Sequence, residues 1–407
     1  DGGETWSSQN EGLTNLDTGA LAASLDDPNH FVSATADWWF NRKPGEHSHP
    51  QGPIHATPGT FFTTDGGTSW SSLGDTYQDQ DAYALSVSPT NPGRIYVGTM
   101  CSRGIYASDD DGQTFTHYPA QASHYTMRLE VSPWDENTVF MSSATGIHRS
   151  TDSGENWDDL LLGGHFHGLA VASDKTLYAG SAPMEGGAAG HGAHSSEETN
   201  EDGLTITGGH VFRSDDDGQT WIDASDGFDA GLAPMSAVNT IVVAPNDPNV
   251  VYAAAEAAHG SGTLTEPFGL YRSANRGDIW EARNEGLPSL SISDLAIDKN
   301  DSNLLYAATR SGVARTVDGG QSWTRILPDR SNAVSLAPNG LLVVGAQGAV
   351  HISADAGNSW YTIVGGIEGK NVWDFILDEE TNTVFAGIDD RGLRRLSLDS
   401  IGYTLKP

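Results

Sequence analysis

The sequence predicts an all-β fold: a single β-propeller of eight four-stranded antiparallel blades. One observation is an eight-residue pattern, Ser/Thr-x-Asp-x-Gly-x-x-Trp/Phe, that returns along the whole chain of 407 residues. The other is that short apolar segments bounded by turn signals flank each copy, as in all-β proteins. Recurrence at this period indicates one supersecondary unit copied around an axis or along a solenoid. Because the copies run from end to end, we expect one domain over residues 1–407, although length alone would allow two.

We call the eight-residue pattern the octapeptide repeat. Complete copies lie at 63–70, 108–115, 150–157, 214–221, 273–280, 316–323 and 353–360, and half a copy lies at 1–6. The glycine accepts a positive φ in a turn, the carboxylate accepts hydrogen bonds from turn N–H groups, and the aromatic ring is suited to burial in a sheet. The 273–280 copy has Asn275 in place of the acid. We therefore interpret the acidic residues as structural members of hairpin turns: Asp65, Asp110, Asp152, Asp216, Asp318 and Asp355.

The flanks of the octapeptide repeat predict the four strands of a blade. A first strand such as 84–87 is followed by a turn, a second such as 94–99, and a third such as 104–108 that runs into the repeat. The third-strand pattern returns along the chain, beginning at Gly59, Gly104, Gly146, His210, Gly269, Gly312, Ala349 and Gly392. The last of these has no octapeptide repeat after it, so we expect the N-terminal strand to complete that blade and close the ring. Seven blades are the alternative if the short unit at 323–360 is not a separate blade.

The octapeptide repeat resembles the Asp-box, or BNR repeat, of a superfamily of β-propellers. That superfamily includes sialidases, xyloglucan-degrading glycosidases, receptor propellers of the sortilin (Vps10) type and a photosystem II assembly factor. The resemblance covers the scaffold over nearly the whole chain and transfers no catalytic residue. It implies a secreted, periplasmic or cell-surface protein. An early Arg-Ile-Pro element, which a sialidase would show, is absent from the sequence.

The composition excludes several classes of partner. The net charge of −33 is incompatible with binding to nucleic-acid phosphates or to an anionic membrane surface. The excess of Asp and Glu over Lys and Arg suits solubility at high salt and so indicates a halophilic or marine source. A single cysteine excludes an intrachain disulfide, and no apolar run of about 18 residues predicts a membrane span.

Two long loops lie on the face opposite the octapeptide turns, which we call the top face. They cover about 36–58 and 182–209, whereas simple connections have about 4–6 residues. Histidines concentrate on this face, and His165 and His167 are two residues apart on a predicted first strand, a spacing that puts side chains on one side. These features predict a transition-metal site at the channel mouth, with the candidate ligands His165, His167, His47, His49, His55, His124, His191, His194, Met184 and Cys101. Imidazole with thiol and thioether favours copper over zinc. The alternative is that the histidines make ordinary hydrogen bonds.

A binding propeller with this metal site is the first functional hypothesis. The second is a glycoside hydrolase or carbohydrate-binding propeller, in which Trp38 and Trp39 stack on sugar rings. Such a hydrolase needs two carboxylates across a groove, and the candidates near the tops of first strands are Asp81, Asp294 and Asp374. The third hypothesis is a propeller that binds a protein partner through surface shape and negative charge.

Overall fold

The computed structural model describes the chain in a series of ranges. These are 7–8, 10–11, 13, 18–23, 31–35, 59–63, 71–72, 82–88, 91, 94–99, 105–109, 116–118, 126–183, 203–228, 236–257, 269–337, 339–364, 367, 369–378, 382–388 and 392–403. Within them the secondary structure is almost entirely β-strand, with one 3-10 turn at Leu398–Ile401. No helix in these ranges is long and apolar enough to cross a membrane.

The strands are numbered in chain order. The first half comprises β1 Ser7–Ser8, β2 Thr18–Ala23, β3 Phe31–Thr35, β4 Gly59–Thr63, β5 Ser71–Ser72, β6 Ala82–Val87, β7 Ile95–Thr99, β8 Ile105–Ser108, β9 Thr116–Tyr118, β10 Thr126–Val131, β11 Val139–Ser143, β12 Gly146–Ser150, β13 Asp158–Leu162, β14 His165–Val171, β15 Leu177–Ala182 and β16 Val211–Ser214. The second half comprises β17 Ile222–Asp223, β18 Ser236–Val243, β19 Val251–Ala257, β20 Gly269–Ser273, β21 Glu281–Ala282, β22 Ile292–Ile297, β23 Leu305–Thr309, β24 Gly312–Thr316, β25 Thr324–Leu327, β26 Ser331–Leu336, β27 Leu342–Ala346, β28 Ala349–Ser353, β29 Tyr361–Ile363, β30 Val372–Asp378, β31 Thr383–Ile388 and β32 Gly392–Ser397.

Consecutive groups of four strands form antiparallel sheets, from β2–β5 through β26–β29, and the described residues contain eight sheets of this kind. The last sheet has the order β1-β32-β31-β30, with Ser7 opposite Arg395 and Ser8 opposite Arg394. First strands of successive sheets contact one another, and β30 contacts β2, which closes the ring. The all-β propeller fold and its closure by the N-terminal strand are therefore confirmed. The short unit at 323–360, which the seven-blade alternative would not count as a blade, contributes a sheet of its own, β26–β29.

The hydrophobic core lies between neighbouring sheets rather than at a single centre. Second strands such as β15 and β23 are buried along their whole length, whereas β17 and β21 at the outer edge are exposed. One core cluster joins Tyr178 of one sheet to Val238 and Tyr271 of the next. The sheets approach closely there, since a Cβ on Gly180 would lie 2.6 Å from the backbone oxygen of Val238.

The octapeptide turns are held by their acidic residue. In the 214–221 copy the Asp216 carboxylate accepts hydrogen bonds from the Ser214 hydroxyl at 2.8 Å, the Thr220 N–H at 2.8 Å and the Thr220 hydroxyl at 2.7 Å. The same pattern holds Asp318 and Asp355, where side-chain hydrogen bonds from Ser322 and Ser359 lower the carboxyl pKa to about 2. The 63–70 and 108–115 copies, with Asp65 and Asp110, lie largely outside the described residues.

The aromatic residue of the octapeptide repeat links one sheet to the sheet before it. The indole N–H donates to a carbonyl of the preceding sheet in three copies: Trp280 to Ala224 at 2.6 Å, Trp323 to Arg283 at 2.7 Å and Trp360 to Ile326 at 3.0 Å. Trp157 differs, because its N–H donates to Gly154 within its own turn at 3.0 Å. The octapeptide repeat therefore stabilises contacts between sheets as well as its own hairpin.

Candidate functional site

Every first strand carries a β-bulge near its beginning. One residue is left without a partner in the register of each first strand, for example Met127 between Thr126 and Arg128. We call these eight positions the bulge ring: Gly19, Tyr83, Met127, His167, Asn239, Ser293, Asn332 and Trp373. First strands begin on the face opposite the octapeptide turns, so the bulge ring surrounds the top mouth of the central channel. Bulges often occur beside active sites, where they redirect a side chain.

The bulge ring is chemically neutral in a strongly acidic protein. Its members are glycine, tyrosine, methionine, histidine, two asparagines, serine and tryptophan, whereas the whole chain has a net charge of −33. The amide and hydroxyl groups of Asn239, Asn332 and Ser293 suit a ligand that offers hydroxyls. This composition favours an uncharged polyhydroxylated ligand at the channel mouth.

The two histidines of the predicted metal site lie side by side at this mouth. The rings of His165 and His167 are 4.6 Å apart between centroids and meet edge to face at 78°. His167 Nδ1 is 2.9 Å from Oδ1 of Asn239, which occupies the next position of the bulge ring. His165 Nε2 is buried and makes no hydrogen bond with the residues described. Burial lowers the pKa of His165, and a backbone hydrogen bond with Pro183 opposes this shift.

Charged side chains follow the bulge ring on two first strands. The half-buried Asp294 comes directly after the bulge of β22, and its carboxylate accepts the N–H groups of Leu295 at 2.8 Å and of Val334 at 2.9 Å. Burial raises the pKa of Asp294 to about 6, despite these two hydrogen bonds. On β10, burial also raises the pKa of Glu130. The positive charge of Arg128 lowers the pKa of both carboxyls, so one arginine acts on acids of two sheets.

Most of the other residues predicted for the site lie outside the described ranges: His47, His49, His55, His124, His191, His194, Met184, Cys101, Asp81, Trp38 and Trp39. Asp374 lies on β30 at the position equivalent to Asp294, and only its backbone is described. Among described residues, no group of three or more His, Cys, Asp or Glu side chains is arranged to hold a metal ion. Sequence reasoning missed Arg128 and Glu130; an alignment of the first strands on their bulges puts Arg128 at the position equivalent to Asp294.

A Ser-His-Asp chain of hydrogen bonds lies on the neighbouring sheet. Ser143 Oγ is 3.0 Å from His148 Nε2, and His148 Nδ1 is 2.8 Å from Asp159 Oδ1. This order resembles a nucleophile relay, but Ser143 is fully buried and its Oγ also accepts the N–H groups of Thr145 and Gly146. The hydroxyl is therefore inaccessible to a substrate, and we interpret the chain as a structural link between β11, β12 and β13.

Acidification is expected to destabilise the fold through buried histidines. Burial lowers the pKa of both His148 and His351, so the unfolded chain binds a proton first as the pH falls. Their contribution to stability is present above the unfolded pKa of about 6.5 and is lost as the pH falls below it. Between pH 7.5 and pH 5.5 the melting temperature of His148→Gln should therefore fall by less than that of the wild type. His117→Gln, at an exposed position, is the matched control, and equal losses in all three proteins would contradict the prediction.

Three comparisons place the chain among known proteins. No family model matches it. Xyloglucanase Xgh74A of Acetivibrio thermocellus is 31% identical over 179 residues, a stretch that covers 40% of this chain and 21% of the xyloglucanase. The chain thus spans about a fifth of the length of that relative.

Two solved structures share the fold at low sequence identity. YCF48 bound to a D1 peptide has a TM-score of 0.52 at 14% identity and covers 96% of each chain. A catalytically inactive virginiamycin B lyase of Staphylococcus aureus with quinupristin has a TM-score of 0.51 at 15% identity, over 78% of this chain and 95% of the lyase. These similarities show the propeller fold.

Proposed function

We propose that this chain is a carbohydrate-active propeller of the glycoside hydrolase type, which binds a neutral β-glucan such as xyloglucan across the top mouth of its channel. The observation that carries the proposal is the 31% identity to a xyloglucanase over 179 residues. In this proposal the octapeptide repeats are Asp-boxes that build the scaffold, and the protein acts on its polysaccharide substrate outside the cytoplasm. The hypothesis of carbohydrate binding thus replaces the metal-binding propeller as the main functional assignment.

The neutral bulge ring supports this choice of substrate class. A xyloglucan chain has hydroxyls and no charge, which matches the amide and hydroxyl groups of Asn239, Ser293 and Asn332 at the mouth. An anionic polysaccharide would meet a protein with a net charge of −33 and would be repelled. Neutral glucans are therefore the substrates that fit.

Asp294 supports a hydrolytic role. A general acid must hold a proton near the working pH and release it to the leaving oxygen, and burial gives Asp294 a pKa of about 6. Glycoside hydrolysis also needs a second carboxylate as base or nucleophile. Among the described residues Glu130 is the candidate for this role: burial raises its pKa, and the positive charge of Arg128 favours the ionised form that the role requires.

The proposal is tested with purified full-length protein and tamarind xyloglucan. We expect new reducing ends to appear, and we expect calorimetry to detect binding of xyloglucan oligosaccharides. Polygalacturonate, an anionic polymer, is the matched control and should neither bind nor be cleaved. The rate should fall as the pH rises through about 6, because Asp294 then loses its proton. If no neutral β-glucan binds at millimolar concentration and none is cleaved, the proposed function is wrong.

A further inference from the structure

We propose that Arg128 binds the substrate in the channel: its guanidinium donates hydrogen bonds to two neighbouring hydroxyls of a glucan ring and holds that ring against Asp294. This inference rests on the carbohydrate function proposed above and names a residue that sets the affinity for the glucan.

Arg128 and Asp294 occupy the same position on two strands that are not neighbours. Each comes directly after the bulge of its first strand, Arg128 opposite Ser142 and Asp294 opposite Ala308. In the ring of first strands, β14 and β18 lie between β10 and β22 on one side, and β26, β30, β2 and β6 lie between them on the other. The two residues therefore lie at one level of the channel, on walls that face each other.

The guanidinium of Arg128 is uncommitted among the described residues. Ion pairs with aspartate or glutamate hold several other arginines of the described ranges, namely Arg94, Arg149, Arg213, Arg276 and Arg283. Arg128 is exposed, and no described residue forms an ion pair or a hydrogen bond with its side chain. Since β10 is the innermost strand of its sheet, with β11 beside it, the solvent around Arg128 is that of the channel. Its N–H donors are thus available to a ligand there.

Asp294, in contrast, is held in place. Its two carboxyl oxygens accept one N–H each, Oδ1 from Leu295 at 2.8 Å and Oδ2 from Val334 at 2.9 Å. A carboxyl oxygen can take part in a second hydrogen bond, so one position on each oxygen remains for a proton or a substrate. Burial raises the pKa of Asp294, and the positive charge of Arg128 opposes this rise, as expected for a guanidinium that lies near the carboxyl.

The shape of the guanidinium selects the group that it binds. Its N–H donors form a planar fork that binds two adjacent oxygens at once. A glucan ring offers such oxygens as neighbouring hydroxyls. A carboxylate also fits the fork, but an acidic polysaccharide is repelled by a protein with a net charge of −33. Neighbouring hydroxyls of a neutral sugar are therefore the ligand that satisfies both conditions.

The experiment compares Arg128→Gln and Arg128→Lys with the full-length wild type, using xyloglucan for rates and xyloglucan oligosaccharides for calorimetry. Arg128→Gln should raise KM and Kd about 10–100-fold, because hydrogen bonds from a charged group contribute on this scale. It should also move the fall in rate to higher pH, because Asp294 loses the opposing charge. Arg128→Lys keeps the charge but not the fork, so it should raise KM and Kd while leaving the pH profile in place. In both variants kcat should change less than KM, as for a residue that binds substrate and transition state alike.

Arg325→Gln is the matched control. It removes the same charge from an exposed arginine on β25, the outermost strand of the sheet that carries Asp294, and it should leave KM, Kd and the pH profile unchanged. Circular dichroism confirms that each variant is folded, and Arg128→Lys tests the fork even if Arg128→Gln unfolds.

The outcomes separate this inference from the proposed function. Wild-type KM and Kd in the Arg128 variants would overturn the inference and leave the carbohydrate function intact, even if the pH profile of Arg128→Gln moves. A wild-type protein that neither binds nor cleaves xyloglucan would overturn both.

Discussion

Replacement of Trp280 by alanine is expected to lower the free energy of unfolding by about 4 kcal/mol, since deletion of a buried large aromatic side chain typically costs about 3–5 kcal/mol. The side chain is 2% exposed and packs edge to face on Phe228, with centroids 5.6 Å apart. Its loss also leaves the carbonyl of Ala224 without the donor that lies 2.6 Å away. A buried acceptor without a partner adds about 1–3 kcal/mol, part of which relaxation recovers.

Trp280 also fixes the junction between two sheets through its backbone. Its N–H donates to the carbonyl of Asp226 at 2.8 Å, and Gly227 turns the chain there with a φ of 81°. A Cβ on Gly227 would lie 2.2 Å from the Trp280 carbonyl oxygen. The side chain and the backbone of Trp280 therefore bind the segment that leaves the preceding sheet, and the substitution is expected to weaken the contact between the sheets.

Thermal unfolding of Trp280→Ala and Trp157→Ala compares a buried tryptophan that bonds to the preceding sheet with a half-buried one that does not. Trp157 occupies the equivalent position, but it is only half-buried and its indole donates within its own turn. We expect Trp157→Ala to lower the melting temperature by less than half as much as Trp280→Ala does. Equal decreases would mean that the greater burial of Trp280 and its indole bond to the preceding sheet together contribute little.

The difference between these two tryptophans shows where sequence reasoning ends. The octapeptide repeat predicted the turns and their hydrogen-bonded acids, because every group involved lies within eight residues. It did not predict the acceptor of the Trp280 indole, which is 56 residues earlier in the chain. Spacing within a motif determines local bonds, whereas bonds between sheets depend on the packing of the whole ring.

The top mouth illustrates the same limit. Sequence spacing suggested that His165 and His167 share one side of a regular strand, but the bulge at His167 interrupts that alternation. What orients His167 is Asn239, 72 residues away on the next sheet. Asp294 was a candidate from its place on a first strand, yet its raised pKa comes from burial between sheets, and one of its donors is Val334 of the following sheet.

Asp294→Asn is expected to reduce kcat on xyloglucan by about 10²–10⁴-fold with a small change in KM, because the loss of a general acid removes a factor of this size. The fall in rate as the pH rises through about 6 should vanish, because the group responsible no longer titrates. The variant should retain more of its activity on aryl glucosides with an acidic phenol as leaving group, which need little help from an acid. Asparagine keeps an acceptor for only one of the two N–H groups and places its NH2 against the other, so the melting temperature should also fall.

Asp298→Asn is the matched control for this experiment. Asp298 follows β22, the strand that carries Asp294, and its carboxylate also accepts two backbone N–H groups, from Asn300 at 2.8 Å and Asp301 at 3.0 Å. It lies at the opposite end of that strand, away from the top mouth, so its replacement should leave kcat and the pH profile unchanged. If Asp294→Asn and Asp298→Asn lose stability alike while both keep the wild-type rate on xyloglucan, Asp294 is structural. The catalytic acid must then be sought outside β22, at the equivalent first-strand position Asp374.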